Sequence, residues 1–427
     1  MEKNISVIFE MIDIKDKSQC CGCEACVQRC PKRCISLVED AEGFLYPQVD
    51  TAVCVDCGLC EKVCPVLNQS AEREPQAVYA AINPDADVRQ QSSSGGVFSM
   101  LADAVLSHGG VVFGVCWNDD WQLVFDYTES KDDLSRFRGS KYLQAHVGDA
   151  YIRVESFLKL GRQVLFTGTP CQIAALKRYL KKDYDNLLAV DVICHGAPSP
   201  GVFRTYLTEE ISRIAADEKN TVSSLSNHFV AERNMLNTMG WRIENIQFRD
   251  KRLGWKKFSF TLCLSKALAA GEQNSVSLSY SLNENIFMRG FLRDFYLRPS
   301  CYSCLAKSGK SGSDITLGDF WGINELKPEI DDDRGVSAVT INSDKGALWF
   351  DKFSLQRYEM SYGDLCRYNS ALVRSVACPP QRAKFFKQYG KQSFFSLVDK
   401  LCVEPFWILY YKKVRWHLCR IYKLIFK

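Results

Sequence analysis

Two copies of one cysteine pattern lie near the start of this 427-residue chain. The first comprises Cys20, Cys23, Cys26 and Cys30-Pro31, and the second, 34 residues later, comprises Cys54, Cys57, Cys60 and Cys64-Pro65. A tight loop with a cysteine at every third position points three sulfurs towards one centre, while the fourth cysteine, after a longer step, points away. Thiolates spaced in this way are the ligands of a cubane 4Fe-4S cluster, so the pattern predicts electron transfer.

The two runs are expected to exchange their fourth ligands, as in bacterial two-cluster ferredoxins. One cluster would be held by Cys20, Cys23, Cys26 and Cys64, and the other by Cys54, Cys57, Cys60 and Cys30. The alternatives are zinc, which prefers paired CxxC units with a longer spacer, and disulfides, which do not need identical repeats. Cys21 and Cys34 fall outside the register of the pattern and are interpreted as spare thiols.

Composition favours a globular cytoplasmic protein with more than one domain. The chain exceeds the length at which a single hydrophobic core usually keeps growing. Its net charge of +4 is small for that length, which argues against general nucleic-acid binding. Residues 1–19 carry acidic side chains where a secretory signal needs an apolar core, and a reducing cytoplasm keeps the twenty cysteines available for metal. No uncharged apolar run of about 18 residues occurs, so no membrane-spanning helix is expected.

The predicted fold class combines α+β and α/β architecture in three regions. These are a ferredoxin-like two-cluster domain at 1–70, an α/β domain at 71–385 and a basic amphipathic tail at 386–427. Alternating strand and helix patterns indicate the α/β layer. Strands are predicted at 77–82, 110–117, 122–127, 164–168 and 187–194, with a strand pair within 243–265 and another strand within 313–322. Helices are predicted at 96–107, 147–160, after Pro170 and at 202–216, and a polar surface insertion at 217–240.

Three turns in the α/β region have residue types that suit ligand binding. The turn Ser92 to Gly96 opens a helix, where free amides and hydroxyls suit a phosphate, although serine at a helix start with glycines for a tight turn is the simpler interpretation. The segments 168–171 (GTPC) and 194–196 (CHG) follow predicted strands. Ligands in open α/β sheets bind at the carboxyl ends of strands, so these segments are expected at one site.

A further set of cysteines suggests a third cluster assembled from distant segments. Cys301 and Cys304 form an isolated CxxC, while Cys171 and Cys194 follow neighbouring predicted strands. The alternative is that Cys171 and Cys194 are small buried apolar residues and that the CxxC is a zinc half-site or a redox pair.

Seven motifs together resemble a known family. They are SSSGGVF at 92–98, GSKYLQ at 139–144, GTPCQIAALK at 168–177, DVICHGAPSP at 191–200, FRDKRLGW at 248–255, CYSC at 301–304 and SDITLGDFWG at 313–322. This set looks like the family of beta subunits of coenzyme F(420) hydrogenases and dehydrogenases, to which the (bacterio)chlorophyll reductases are related. The resemblance covers roughly residues 15–325. It implies that the region 71–385 binds FAD beside a 4Fe-4S cluster and exchanges electrons with the N-terminal module.

By that resemblance, residues of the α/β region become candidates for cofactor contacts. Those for FAD are Ser93, Ser94, Gly95, Gly96, Lys141, Thr169, Gln172 and His195, and those for a flavin-proximal 4Fe-4S cluster are Cys171, Cys194, Cys301 and Cys304. His195 is a candidate proton donor because imidazole titrates near neutral pH, although a strand-end histidine bonded to backbone is the alternative. Lys141 and Lys251 are candidates to offset negative charge on FAD, although solvated lysines are the usual case.

Two functions fit these parts. The first is an FAD and iron–sulfur oxidoreductase that exchanges hydride with an organic substrate or a deazaflavin, because a flavin converts between one-electron and two-electron chemistry. The second is an electron-transfer subunit that docks to a partner oxidoreductase and has no substrate itself. A zinc-bound structural module is a third possibility. Reduced ferredoxin or a deazaflavin is the expected redox donor, since no GxGxxG fingerprint for a nicotinamide cofactor follows a strand.

The C-terminal segment 406–427 shows a separate pattern. Its apolar residues recur at helical spacing, and it has six Lys or Arg side chains and no acid. Such a helix suits the anionic inner surface of a membrane, and packing against the protein's own core is the alternative.

Overall fold

The structure is a computed structural model that describes residues 11–218, 240–267, 273–353 and 355–403. Most of the predicted insertion at 217–240 and the whole C-terminal segment at 406–427 therefore lie outside the described residues. No helix within the described ranges is long and apolar enough to cross a membrane.

The N-terminal module contains a hairpin and two short helices. Strands β1 (Ile35–Glu39) and β2 (Leu45–Val49) pair antiparallel, and the helices are α1 (Ala25–Arg29) and α2 (Leu59–Lys62). The residues before these helices, Glu24 and Gly58, both have left-handed backbone conformations, with φ of 61° and 64°. They occupy equivalent positions in the two cysteine runs, so the repeated sequence folds into a repeated local structure.

A mixed sheet forms the centre of the second region. The strands that follow are β3 (Ala77–Ile82), β4 (Val111–Trp117), β5 (Leu123–Thr128), β6 (Val164–Gly168), β7 (Leu187–Val192), β8 (Trp241–Asp250), β9 (Ser259–Ala267), β10 (Gln273–Ser281), β11 (Ile315–Asp319), β12 (Ser337–Ile341) and β13 (Gln356–Glu359). In the described part of the chain the large sheet has the order β13-β3-β12-β11-β7-β6-β4-β5, and β4, β6, β7 and β11 run parallel. Their apolar runs, such as Val164 to Phe166, are fully buried, as expected for parallel strands covered on both faces.

Helices cover both faces of this sheet. The helices of the second region are α3 (Ala86–Gln91), α4 (Val97–Ser107), α5 (Ala150–Lys159), α6 (Pro170–Leu180), α7 (Pro200–Glu218), α8 (Ile286–Phe291), α9 (Ile323–Leu326), α10 (Asp344–Phe350), α11 (Tyr362–Tyr368), α12 (Pro380–Gln388) and α13 (Phe394–Cys402). Of these, α5 and α6 pack on one face of the large sheet, and α4 and α10 pack on the other. Mixed α/β architecture with a ferredoxin-like module at the N-terminus agrees with the predicted fold class.

A second antiparallel sheet, in the order β10-β9-β8, packs with α7, α8, α12 and α13 around an aromatic core. Phe385 and Phe394 are among its buried residues. The predicted tail from 386 onwards therefore includes the end of α12 and all of α13, and both helices pack into this core.

The elements of the predicted α/β layer are confirmed, with boundary shifts of a few residues. The strand at 77–82 and the strand at 164–168 have the predicted ends, whereas the helix predicted at 147–160 covers Ala150–Lys159. Residues 69–76, which have the composition of a linker, contact the second region through Arg73. Its Nε donates to the Gly309 carbonyl at 3.2 Å, so this stretch is anchored to the second region.

Candidate functional site

Two small cavities in the N-terminal module collect the cysteines of the doubled pattern. The first, called the inner cavity here, is lined by Cys20, Cys21, Cys23, Cys26 and Cys64 with apolar neighbours. The second, called the outer cavity, is lined by Cys30, Cys34, Cys54, Cys57 and Cys60. Each cavity combines three cysteines of one run with the fourth of the other, which is the grouping that the sequence predicts.

Burial disfavours the ionised form of these thiols unless a cationic centre binds them. Burial raises the pKa of the Cys26, Cys60 and Cys64 thiols, so in the absence of a cation they would stay protonated. An iron–sulfur core stabilises the thiolate form instead, since metal binding displaces the thiol protons. Among the described residues, no three His, Cys, Asp or Glu side chains converge as they would around a single metal ion.

A much larger cavity, called the central cavity here, lies beyond the carboxyl ends of β6 and β7. Its volume is about 770 Å³. Its wall includes the Ser–Gly turn before α4, the segments that follow β6 and β7, and the loop with the CxxC pair. The three turns singled out in the sequence therefore meet at one site.

The four cysteines outside the doubled pattern line this central cavity together. Cys171 lies in the first turn of α6, Cys194 follows β7, and Cys301 and Cys304 lie in and after the short 3-10 helix Pro299–Ser303. Burial raises the pKa of Cys194, Cys301 and Cys304, and the neighbouring thiols of the same set add to the effect. The Ala197 N–H donates to Cys301 Sγ at 3.3 Å, which is the kind of contact that orients a thiolate ligand.

Cys21 connects the inner and central cavities, because its side chain lines both. Its thiol is within hydrogen-bonding reach of Cys171. That contact lowers the pKa of Cys21, while Cys23 and burial outweigh it and raise the pKa overall. The interpretation of Cys21 as a spare thiol does not anticipate this position. Its adjacency to Cys20 is the signal in the sequence.

Some residues of the Ser–Gly turn line the central cavity, and others pack behind the turn and support it. Ser93 lines the cavity, and its Oγ accepts from the Ser140 N–H at 2.5 Å. Ser94 donates to the Val336 carbonyl, and the Gly95 N–H donates to Ser337 Oγ at 3.0 Å. A Cβ on Gly95 would lie 2.3 Å from the Ala81 carbonyl oxygen, so only glycine allows this turn to pack against β3. Gly95 therefore shapes the turn from behind, whereas Gly96 and the serines lie along the cavity wall.

Lys251 lies behind the same turn. Its Nζ donates to the backbone carbonyls of Arg89, Ser94 and Arg334 at 2.7–2.9 Å. Burial and the nearby Arg249 lower the pKa of Lys251 to about 7. Three carbonyl acceptors occupy all the donors of its ammonium group, which makes Lys251 a support of the turn instead of the predicted contact to a cofactor.

The other predicted contacts of the α/β region face the central cavity. Lys141 Nζ donates to the Arg138 carbonyl at 3.0 Å, and burial lowers the pKa of Lys141 to about 8. Thr169 and Gln172 line the cavity and also form a capping box at the start of α6, in which the Thr169 N–H donates to Gln172 Oε1 at 2.9 Å. Their side chains thus present the first turn of α6 to the cavity.

His195 pairs with a carboxylate that sequence reasoning missed. Its Nε2 lies 2.6 Å from Asp294 Oδ1, and Phe291 meets the imidazole edge to face. Asp294 has a left-handed backbone with φ of 60°. A side-chain carboxylate, and not the backbone, is therefore the partner that orients this imidazole at the cavity wall.

The region that forms this site matches models of a known protein family. Two family models describe the two parts of the coenzyme F420 hydrogenase/dehydrogenase beta subunit: the C-terminus model matches residues 161–361, and the N-terminus model matches residues 78–150. Residues 19–68 match a 4Fe-4S dicluster domain. The chain belongs to the family of coenzyme F420 hydrogenase/dehydrogenase beta subunits. This confirms the resemblance and establishes ferredoxin-type 4Fe-4S binding for the N-terminal module.

Individual relatives cover parts of the chain. One, a subunit of the F(420)H(2) dehydrogenase of Methanosarcina mazei, is 27% identical over 206 residues, which cover 46% of this chain and 58% of that protein. A ferredoxin of Streptomyces griseus is 44% identical over 55 residues, or 13% of this chain and 41% of that protein. The chain thus spans a little over half of the dehydrogenase protein. A chain of the F420-reducing [NiFe] hydrogenase complex from Methanosarcina barkeri has a TM-score of 0.42 and 14% identity, covering 76% of this chain and 97% of that chain.

Within the part that matches the C-terminus model lies a second residue that sequence reasoning missed. The side chain of Arg249 is 1% exposed, and it forms an ion pair with Asp319 while stacking on Phe258 at 4.2 Å. In the described residues its Nε and Nη2 have no hydrogen-bond partner of good geometry, although the guanidinium also interacts with Tyr142. A buried guanidinium with unused donors beside a large cavity points to a ligand with acceptor groups. The signal is the arginine of FRDKRLGW, the motif that also contains Lys251.

Proposed function

We propose that this family member passes electrons through the two ferredoxin-type clusters and a third 4Fe-4S cluster to FAD in the central cavity. The FAD would exchange hydride with an organic substrate or a deazaflavin. The observation that carries the proposal is the convergence of Cys171, Cys194, Cys301 and Cys304 on the cavity that also receives the Ser–Gly turn. The Cys21–Cys171 contact supports a short route from the inner cavity to this third site.

The residues of the central cavity fit a flavin. The volume of about 770 Å³ suits a large cofactor. The unpaired donors of Arg249 and the ammonium group of Lys141 suit carbonyl and phosphate acceptors. FAD supplies the conversion between the one-electron steps of clusters and the two-electron step of hydride transfer.

The chain's own residues would control protons and water at this site. His195 and Asp294 form a pair in which the carboxylate fixes the orientation of the imidazole, so that Nδ1 is left to exchange a proton with a bound ligand. Phe291 and Trp321 form an apolar part of the cavity wall, which would exclude water from the reacting groups. Thr169 and Gln172 hold the first turn of α6, with Cys171, at the cavity.

A second candidate function is an electron-transfer subunit that docks to a partner oxidoreductase. The similarity to a protein named as one subunit of a dehydrogenase supports it, as does the exposure of Cys57 at the outer cavity. In this case electrons would enter or leave through the outer cluster, and the central cavity would serve the partner's reaction. Reduced ferredoxin and a deazaflavin are the donors to test for both functions.

The first experiment is anaerobic purification followed by metal and flavin analysis. We expect about twelve irons per chain, four for each cluster, together with one FAD. Cys194→Ala should remove about four irons and leave the ferredoxin-type clusters in place, whereas the control Cys366→Ala should lose none. Unchanged iron in Cys194→Ala would contradict the third cluster, and zinc without iron would contradict the electron-transfer proposal.

The second experiment separates the two candidate functions. The purified chain is supplied with reduced ferredoxin or a reduced deazaflavin, and reoxidation of its clusters and flavin is followed by visible absorption. Turnover with a small organic acceptor by the isolated chain supports the first function. Stoichiometric co-purification of another subunit, with turnover only in that complex, supports the second.

A further inference from the structure

A fully buried arginine, Arg298, lies where the inner cavity of the N-terminal module meets the second region. Its Nη1 donates to Gln144 Oε1 at 2.9 Å, and its Nη2 donates to the Leu45 carbonyl at 3.0 Å. The guanidinium also stacks on Tyr46 at 4.2 Å. These contacts come from the N-terminal hairpin and from the second region, so Arg298 is held rigidly where the two meet.

The same guanidinium touches a predicted cluster ligand. Its Nε donates to the Cys20 carbonyl at 2.7 Å, and its Nη2 donates to Cys20 Sγ at 3.4 Å. A positive charge removed from water and hydrogen-bonded to a thiolate stabilises added negative charge on the cluster that the thiolate binds. Such a contact therefore favours the reduced form of the inner cluster.

The outer cavity has the opposite arrangement. The Asp56 carboxylate lies 3.5 Å from Cys54 Sγ, and Lys32 also lines that cavity, but both side chains are exposed. Water and salt screen exposed charges much more than buried ones. The inner cavity has one carboxylate of its own, Glu24, which His146 and the Gly148 N–H bind at 2.8 and 3.0 Å. Arg298 thus brings a buried positive charge, with no carboxylate among its described hydrogen bonds, next to a thiol of the inner cavity.

We propose that Arg298 is a positioning and charge-compensating residue that raises the reduction potential of the inner cluster above that of the outer cluster. One electron then moves favourably from the reduced outer cluster to the oxidised inner cluster, with no bond made or broken. The buried arginine gives the relay a direction, from the surface towards the central cavity. This inference rests on the proposed function, in that both clusters must be bound.

The test is an EPR-monitored redox titration of the full chain and of Arg298→Met, Arg298→Lys and Arg382→Met. Arg298→Met should lower the reduced-to-oxidised ratio of one ferredoxin-type cluster at a fixed potential by at least tenfold, which equals about 59 mV for a one-electron couple. The other should be unchanged. Arg298→Lys, which keeps the charge, should recover most of the difference. The signal lost in Cys194→Ala identifies the third cluster.

Arg382→Met is the matched control. Arg382 is another largely buried arginine between the hairpin and the second region, where it binds the Glu42 carboxylate and donates to the Leu297 carbonyl at 3.3 Å. Its contacts include no cysteine of the inner cavity, so both potentials should stay as in the unaltered chain. An equal shift in Arg382→Met and Arg298→Met would overturn the proposal, because the cause would then be loosened docking.

The unaltered chain provides a test that does not depend on the folding of Arg298→Met. Its two ferredoxin-type clusters should titrate at different potentials, and with Arg298→Lys the difference should be largely kept. Two equal potentials in a chain with full iron content would overturn the inference while leaving the proposed function intact. Absence of iron from the N-terminal module would instead overturn the proposed function.

Discussion

The inner and outer cavities are lined by cysteines of the same repeated pattern, yet they lie in different surroundings. Cys23 of the inner cavity is buried and belongs to a core cluster that includes residues of β6 and α6. Cys54 and Cys60 of the outer cavity belong to a small cluster confined to the N-terminal module, and Cys57 is exposed. The repeat therefore specifies which thiols meet, whereas contacts outside the repeat specify whether a cavity faces the surface or the protein's interior.

The docking of α1 explains the difference. Its Gln28 Oε1 accepts from the Tyr151 N–H at 2.9 Å, and Glu24 Oε2 accepts from the Gly148 N–H at 3.0 Å. These acceptors satisfy free amides at and just before the start of α5, which would otherwise lack partners. The described contacts therefore dock the first cysteine run against the second region through α1, whereas the second run reaches that region at its end, where Val63 packs into the same core.

The largest expected contrast comes from removing one ligand at each cavity. Cys23→Ser and Cys57→Ser should each lose about four irons or convert the cluster to a three-iron form. Cys23→Ser should also lower the thermal unfolding temperature of the second region, because Cys23 packs into its core. Iron analysis and calorimetry measure both effects. Equal loss of stability in the two variants would contradict the contrast between the cavities.

A smaller but sizeable effect is expected at Gly22 in the first run. Gly22 has φ of +68°, and a Cβ there would lie 2.0 Å from Gln144 Nε2 and 2.8 Å from Arg298 Cζ. Gly22→Ala should lower the free energy of unfolding by about 3 kcal/mol, because it combines backbone strain with overpacking. Gly109 has φ of +69°, and a Cβ there would have no atom within 4 Å. Gly109→Ala should therefore show the backbone strain alone and lower the free energy of unfolding by about 1 kcal/mol. Chemical denaturation compares the two, and equal losses would exclude the contact as the cause.

The extra cysteines offer a third comparison, one at each cavity. Cys21 contacts Cys171, and Cys34 Sγ lies 3.3 Å from Cys30 Sγ. If both are spare thiols, Cys21→Ala and Cys34→Ala should retain the full iron content and lower stability by only about 1 kcal/mol each. Loss of about four irons from Cys21→Ala would instead make Cys21 a ligand at the inner or central cavity.

The smallest effect is expected from the pH dependence of docking at the inner cavity. The hydrogen bond to Glu24 raises the pKa of His146 above its usual value despite partial burial. The pair therefore contributes stability below about pH 6.5 and loses it as the pH rises through the raised value. Because the His146 side chain is 44% exposed, solvent screening keeps the contribution of the pair to the free energy of unfolding below about 0.5 kcal/mol. His146→Gln should flatten the change of unfolding temperature between pH 6 and 8, and an unaltered slope would contradict this.

The sequence predicts what depends on neighbouring residues and misses what depends on distant ones. The cysteine groupings and strands such as β3 follow from local spacing and periodicity. Arg298 contacts Cys20 across 278 positions of sequence, and Asp294 meets His195 across 99, so no local pattern connects them. The charged motif around Lys251 suggests a cofactor contact. The carbonyls that bind Lys251 come from two distant segments, one with Arg89 and Ser94 and the other with Arg334, which only the assembled fold brings together.

The exchange of fourth cysteines also bears on how the N-terminal module folds. A bound inner cluster would join Cys20 to Cys64, and a bound outer cluster would join Cys30 to Cys54, so the two closed loops are nested. In chain-entropy terms, a covalent link across the larger loop is worth about 4 kcal/mol. The described part of the module, from residue 11 onwards, has a hairpin, two helices of about one turn and a short 3-10 helix, so cofactor assembly would supply much of its folding free energy. Neither cysteine run is therefore a separable folding unit, and cutting the chain between them would leave each half with an incomplete cage.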